Sequence, residues 1–392
     1  MFDTTNLQKQ AFLTSDLIDR LVKIRHYLHA HPELSGVETK TANTIAKYLA
    51  YCQPTQLIKG LGGTGIAAVF DSGKKGQTVL FRSELDALPI QEINDLPYKS
   101  IYEGVGHKCG HDGHSTILLG LAGILSKEAP QSGRVVLLFQ PAEENGEGAA
   151  AVLNDERFEQ IEPDYAFAFH NLPGYPLNEI VVRENAFTAA VKSIIIKLSG
   201  KTAHAAEPEH GQNPALAIAE ILKQSNELSN NDPDRSDFAV ITPIHIEMGK
   251  EYYGISAGYG EIRLTLRTWT QKELDQLQNR LVELVKSIAA KHKLSVETEF
   301  THVFQANEND DEAVEIVRQS ASKNGYPLTE REFPFKWGED FGLFTQKYKG
   351  AMFGIGSGLD SPALHNPDYD FPDEQIPVGI LMFYHIAKKI LG

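Results

Sequence analysis

The segment Gly106-His-Lys-Cys-Gly-His-Asp-Gly-His114 holds three His, one Cys and one Asp within nine residues. Thiolate and neutral imidazole are the donors a borderline divalent cation prefers, and the interspersed Gly lets alternate residues converge. A polar loop that caps the following apolar helix, with Asp112 or Ser115 at the N-cap, explains part of this pattern. It does not explain Cys109 and His111 standing two apart. Glu143 and Glu144 leave the apolar run Arg134–Phe139, His170 leaves the run Asp164–Phe169, and His365 follows the Gly-rich stretch 354–360. Singly, a Glu-Glu pair is a common solvated feature and a His a common hydrogen-bonded one. Placed after several strands of one sheet, such groups meet at its carboxyl edge, where open α/β sheets bind ligands.

The elements that must position them follow from the hydrophobic spacing. Residues 6–31 place Leu13, Leu17, Leu21, Ile24 and Leu28 at three- and four-residue steps, an amphipathic helix that Pro32 ends. A second helical pattern runs from Thr39 to Tyr51. The β-rich runs Ile66–Phe70 and Thr78–Phe81 flank turn residues 71–77 and predict a hairpin. Ser115–Leu125 reads as an apolar helix, and Arg134–Phe139 and Asp164–Phe169 as buried central strands. Strands alternating with helices predict an α/β domain around a mainly parallel sheet. From about Ala186 the texture changes to strand 191–198, helix 214–228, strands 239–248 and 261–268, helix 271–291 and strand 294–300. That β-α-β-β-α-β order is the ferredoxin-like plan. Helix 311–324, strand 351–355 and helix 378–391 then resume the first texture. The expected architecture is a discontinuous domain of residues 1–185 plus 301–392, interrupted by a ferredoxin-like α+β domain of residues 186–300. Gly60-Leu-Gly-Gly-Thr-Gly65 satisfies G-x-G-x-x-G, but dinucleotide binding needs a strand before it and a helix after it. Here a helical segment precedes and a strand follows, so a tight, flexible turn is the expected role.

Composition narrows the function classes. The 392 residues carry 37 Lys+Arg against 52 Asp+Glu, a formal charge of −15. That balance argues against a nucleic-acid partner, which needs basic groups to displace counterions, and against an anionic membrane surface. No apolar run approaches the roughly 20 residues of a spanning helix. The N-terminal residues lack the basic-then-apolar pattern of a secretory signal. Two Cys cannot build a disulfide framework, so a reducing, cytoplasmic location is expected.

Eight stretches fall in a recognisable order over nearly the whole chain: RHYLHAHPELSGVET (25–39), FRSELDALPI (81–90), HKCGHDGH (107–114), FQPAEE (139–144), FHNLPG (169–174), SGKTAHAAEPEHGQNP (199–214), GEDFGLF (338–344) and LHNPDYDFPDE (364–374). With them the chain resembles the M20 metallopeptidase family, and within it the aminoacylase-like amidohydrolases such as hippurate hydrolases and indole-acetyl-amino-acid hydrolases. The resemblance implies a di-metal α/β catalytic domain carrying an inserted ferredoxin-like lid that dimerises. It implies that Cys109, His111, Glu144, His170 and His365 bind two divalent ions per subunit: manganese or zinc, with cobalt and nickel as further candidates. Glu143 would be the general acid/base, taking a proton from the attacking water and returning it to the leaving amine. Asp86 would hold a ligand imidazole in its tautomer. His204 of the lid would polarise the substrate carbonyl in the other subunit of a homodimer. His26, His29 and His31, at a helix end, are left to packing and capping, and Cys52 to the core.

The chain departs from the family in the lid. The usual Gly-Gly-Thr…Asn-x-Ile-Pro segment, whose Asn helps hold the substrate carboxylate, is replaced by residues 248–259, with Gly254 in place of the Asn and Ala257 in place of the Pro. Lys250, Tyr252 and Tyr253 are then either a different pocket wall or exposed strand-end residues. Lys336-Trp-Gly-Glu-Asp-Phe341 likewise stands where the family has Met-Gly-Ser-Glu-Asp-Phe. The leading expectation is an amidase acting on N-acyl or aryl-acyl amino acids. The alternatives are a dipeptidase or carboxypeptidase using the same metals on short peptides, and a non-catalytic homologue that binds a ligand.

Overall fold

The computed structural model describes residues 13–392. The expected helix start at residue 6 and the reading of the extreme N-terminus lie outside the described residues. Two compact units make up the chain: residues up to Phe187 with Asn307–Glu332 and Asp340–Gly392, and Thr188–Ala306 with Phe333–Glu339. The short return Phe333–Glu339 belongs to the second unit, where the expectation gave everything after residue 300 to the first. The reason is backbone pairing: Phe335 bridges Thr188, and its carbonyl accepts the Ala189 N–H at 2.9 Å.

In the first unit α1 (Ser15–Ala30) starts where the Thr14 hydroxyl accepts the Leu17 N–H, and α2 (Thr39–Tyr51) follows. The strands β1 (Gln56–Leu61), β2 (Gly65–Asp71) and β3 (Thr78–Glu84) precede α3 (His111–Leu125). Then come β4 (Arg134–Gln140), β5 (Tyr165–Pro173) and β6 (Ile180–Val182). They join one eight-stranded sheet in the order β1-β2-β4-β3-β5, strand Lys349–Gly358, β6, strand Leu328–Glu330. Its centre is parallel, because β4, β3, β5 and Lys349–Gly358 all run the same way. These strands are buried along nearly their whole length, as a sheet covered on both faces requires. Phe81, Leu137, Phe139, Phe167 and Phe353 share one core with Ile117 and Leu121 of α3 and Phe383 of the last helix, Gln375–Leu391.

Several expectations are corrected here. β2 and β3 do not form a hairpin; β4 lies between them, antiparallel to β2 and parallel to β3. Turn residues between two β-rich runs mark a reversal but not which strand becomes the neighbour. The hairpin is β1–β2, closed by the Gly60–Gly65 stretch, in which Gly60, Gly62 and Gly63 take positive φ. A strand, not a helical segment, therefore leads into that stretch, and no helix follows Gly65 to receive a pyrophosphate. The N-cap of α3 is Gly110 at φ 98°, not Asp112 or Ser115. A side chain there would meet Asn171 at 2.8 Å, in a left-handed conformation that Gly alone adopts readily. β5 runs on past Phe169, so His170 lies within the strand.

The second unit is a four-stranded antiparallel sheet in the order Ala239–Met248, Tyr259–Thr268, Ala190–Ser199, Ser295–Phe304. Helices Ala215–Asn226 and Gln271–Lys291 bury their apolar faces with it, giving the ferredoxin-like arrangement. The longer helix opens on a capping box between Thr270 and Glu273. Edge strand Ala239–Met248 leaves Ile244, Ile246 and Met248 exposed. No helix among the described residues is long and apolar enough to cross a membrane.

Positive φ at Gly60, Gly62 and Gly63, and close packing at Gly62 and Gly65, account for the glycines of the β1–β2 turn. Gly62 sits at φ 61°, and a Cβ there would lie 2.7 Å from the Val152 backbone nitrogen. Gly62→Ala should destabilise the first unit by about 2 kcal/mol or more, from the left-handed conformation and the clash together. A lowered urea midpoint checks this; an unchanged midpoint contradicts it.

Candidate metal centre

The parallel centre of the sheet brings its carboxyl ends to one edge. Glu84 closes β3 and Asp86 follows it, Glu143 and Glu144 leave β4, His170 sits near the end of β5, and His365 follows Lys349–Gly358. Cys109 and His111 arrive from the loop that opens α3. The structure thus brings Cys109, His111, Glu143, Glu144, His170 and His365 together. Cys109, His111 and His170 form one set of donor atoms within 4.8 Å of each other; Cys109, Glu144 and His365 form another. Cys109 Sγ lies 3.5 Å from His170 Nε2, and His365 Nε2 lies 3.5 Å from Glu144 Oε2.

His111 and His170 are each aimed by their other nitrogen. His111 Nδ1 donates to the Asp86 carbonyl at 3.0 Å and faces Asp86 Oδ1 at 3.3 Å. That leaves Nε2 turned toward Glu143 Oε2 at 4.0 Å and Glu144 Oε1 at 3.9 Å. His170 Nδ1 donates to the Asn171 carbonyl at 3.0 Å, turning Nε2 to Cys109. Buried His111 Nε2 has no hydrogen-bond partner, a costly state for a polar atom unless a cation completes it. A thiol, imidazoles and carboxylates with one orphaned nitrogen among them fit a divalent cation site.

The surrounding shell was only partly visible in the sequence. Glu84 accepts from His114 Nδ1, and His114 Nε2 faces Asn171 Oδ1, both at 2.5 Å. Arg82, fully buried, pairs with Glu84 and with Asp340. Asp340 also accepts the Gln140 amide and the Ala149 N–H, so this side chain anchors the turn after β4. Lys108 Nζ binds Glu92 at 2.7 Å and the Tyr369 carbonyl at 2.9 Å, while its own carbonyl accepts the His365 N–H at 2.8 Å. His114 was in plain view within the His-rich loop, and Glu84 stands two residues before Asp86. Nothing in the spacing singled out Lys108 or Arg82.

The α1 histidines divide. His31 Nδ1 bonds the Tyr27 carbonyl, and His26 stacks on Tyr98, as packing and capping predict. His29 is different: it is fully buried behind the metal loop, between Asp112 at 2.9 Å and Glu92 at 3.0 Å. Beside it Arg25 bridges Asp112 and Asp370.

In the second unit His204 is exposed on a two-residue strand paired with Ile255–Ser256, so it shares a backbone ladder with the atypical segment. Its Nδ1 accepts the Ala206 N–H at 3.1 Å, which places the proton on Nε2. Lys250 and Tyr252 line a cavity of about 650 Å³ together with Lys201, Thr202 and Tyr259, whereas Tyr253 is fully exposed.

A cluster of thiol, imidazole and carboxylate at the carboxyl edge of a parallel sheet marks the chain as an α/β protein with a candidate metal centre. The chain belongs to peptidase family M20/M25/M40, whose profile matches residues 80–389. It is 30% identical over 379 residues to a hippurate hydrolase of Campylobacter jejuni, covering 96% of this chain and 98% of that one. It is 30% identical over 365 residues to an N-acetyldiaminopimelate deacetylase of Lactobacillus helveticus, covering 91% and 93%. Among solved structures it resembles the Bacillus subtilis YXEP protein, a dinuclear metal binding peptidase of the M20 family. That likeness has a TM-score of 0.82 at 27% identity and covers 96% of this chain and 99% of the other.

Two predictions follow from the electrostatics. Burial and the neighbouring Glu144 and Glu143 push the Cys109 thiol well up. Burial opposes charge on His111, but Asp86 and Glu84 outweigh it and raise the imidazole to about 10. A cation must displace both protons, so its affinity should rise about tenfold or more per pH unit between about pH 6 and pH 8. Chelator competition at both ends of that range tests this, and a pH-independent affinity contradicts it. Burial likewise opposes charge on His29, yet Asp112 and Glu92 raise it to about 9. A raised pKa contributes stability that is complete below the unfolded value near 6.5 and is lost as pH rises through about 9. Urea unfolding should show that alkaline decline, and His29→Gln should flatten it.

Proposed function

We propose that this protein is an N-acyl amino acid amidohydrolase, hydrolysing the amide between an acyl or aryl-acyl group and an amino acid. Cys109, His111 and His170 would hold one divalent ion, and Cys109, Glu144 and His365 a second; manganese or zinc suits the set, with cobalt and nickel as further candidates. Cations held there supply Lewis acidity that acidifies water and stabilises a developing oxyanion. Glu143 carries this reading. It is buried within reach of His111 and Glu144, in a donor group separate from the two built on Cys109, and its Oε1 faces the Asp340 N–H at 3.4 Å. That position suits a base that takes the proton of an attacking water and delivers it to the leaving amine. Asp86 keeps the His111 proton on Nδ1 and so leaves Nε2 as a donor pair. His204, with its proton on Nε2, is the form that donates to a substrate carbonyl.

The relatives are named for hippurate and for acetyl groups, which supports an acyl substrate over a dipeptide and over a non-catalytic ligand. The exposed Ile244, Ile246 and Met248 on an edge strand support a homodimer formed through the second unit. Two free, buried cysteines suit a reducing cytoplasmic setting.

Glu143→Gln should lower kcat about a thousandfold or more while two metal ions per chain remain. Retained activity, or loss of metal in proportion, contradicts the base assignment. Benzoyl-, acetyl- and indole-acetyl-amino acids should be hydrolysed faster than dipeptides, and chelation should abolish the reaction. His204→Ala should lower turnover more than metal content; unchanged turnover removes His204 from the reaction.

A further inference from the structure

Two adjacent glutamates can take separate roles only if the backbone between them is held in one conformation, and the structure shows what holds it. Ala142, immediately before Glu143, lies in the left-handed region at φ 51°, where an L residue is strained. Its N–H is held at 2.8 Å by Oε1 of Glu38, a fully buried carboxylate 104 positions away in the chain. On the other side of Glu143, the Glu144 N–H is held at 2.9 Å by Asp86 Oδ2. Two buried carboxylates therefore clamp the N–H groups of the residues on either side of Glu143. One loop fastens both clamps: the Ser35 hydroxyl donates to Asp86 Oδ2 at 2.8 Å, and the Gly36 N–H to Glu38 Oε1 at 2.7 Å.

Glu38 stands at the N-cap of α2 yet makes no capping bond to that helix. Glu33 takes that task, accepting the Lys40 and Thr41 N–H groups at 2.7 and 2.9 Å. The Glu38 carboxylate is thereby left for Ala142 and Gly36 through Oε1 and for the Thr64 hydroxyl through Oε2 at 2.6 Å. Because one oxygen receives both backbone donors, the task needs an acceptor at that point rather than a negative charge.

We propose that Glu38 is a positioning residue for catalysis: it locks the left-handed turn at Ala142 and so aims the Glu143 carboxylate. This rests on Glu143 being the base. Without the acceptor, Ala142 relaxes toward negative φ, and the Glu143 side chain leaves its place beside His111. A displacement of about one ångström at a reacting group costs on the order of a hundredfold in rate. Glycine takes positive φ without strain, so Ala142→Gly should restore the turn when Glu38 is missing.

The test measures kcat, KM, metal content and thermal midpoint for Glu38→Ala, Glu38→Gln, Ala142→Gly and the pair Glu38→Ala with Ala142→Gly, on the full chain with metal bound. Glu38→Ala should lower kcat about ten- to a hundredfold, with KM within about threefold and metal content unchanged. Glu38→Gln, which keeps an oxygen at the Oε1 position, should retain most of kcat. In the pair, kcat should recover about tenfold relative to Glu38→Ala, measured against Ala142→Gly as reference. A role confined to stability would shift the thermal midpoint without this rescue. Full activity in folded Glu38→Ala, or no recovery in the pair, overturns the proposal. If Glu38→Ala fails to fold, Glu38→Asp, whose shorter side chain withdraws the acceptor, replaces it under the same criteria. Glu143→Gln run alongside separates the two failures: an active Glu143→Gln overturns the base assignment, whereas an inactive one beside a fully active Glu38 variant overturns the positioning role alone.

Discussion

The carboxylate of Asp86 is the point from which the site is built. It is wholly buried, and its two oxygens serve two different loops. Oδ2 accepts the Glu144 N–H and the Ser35 hydroxyl, and Oδ1 faces His111 Nδ1. Burial would favour the neutral acid, but the His111 interaction and the backbone donor outweigh it and hold the group below the usual carboxylate range. Asp86 thus meets the His111 imidazole chiefly through its carbonyl, and through its carboxylate ties down Glu144 and the loop before α2. Those three contacts determine where donor atoms converge.

Gathering so many ionisable groups at a buried edge carries a large desolvation cost, and the structure offsets it with buried counterions. Arg82 pairs with Glu84 and Asp340 beneath the sheet edge. Lys108 reaches Glu92, and Arg25 with His29 neutralises Asp112 behind the metal loop. Such pairs add little net stability relative to an apolar core, whereas removing one partner strands a buried charge. They surround the candidate ligands, of which His365 has a half-exposed side chain. Its left-handed φ of 66° is stabilised by the Lys108 carbonyl, which accepts its N–H.

Much of the fold was legible because hydrophobic spacing is a local signal. The boundaries of α2 and of helices Gln271–Lys291 and Asp311–Asn324 coincide with the patterns that predicted them. Strand neighbours were not legible: β4 enters between β2 and β3, a pairing set by the packing of the whole sheet. The candidate ligands were readable from residue type and from their position after strands. Their supporting groups were not, because Glu38, Arg82 and Lys108 look like ordinary surface residues in sequence and become buried only through contacts made by remote segments.

The sequence by itself determined the chemistry available: one thiol, three imidazoles and two adjacent carboxylates placed after runs that form strands, and a second texture that forms a ferredoxin-like unit. Those properties are local, written in residue type and short-range periodicity. Tertiary structure alone decided the convergence of Cys109 with Glu144 and His365, the burial that lifts the Cys109 thiol, and the left-handed Ala142 held from Glu38. Each of these depends on atoms far apart in the chain, and only the register and packing of the sheet bring them within hydrogen-bonding distance or out of reach of water.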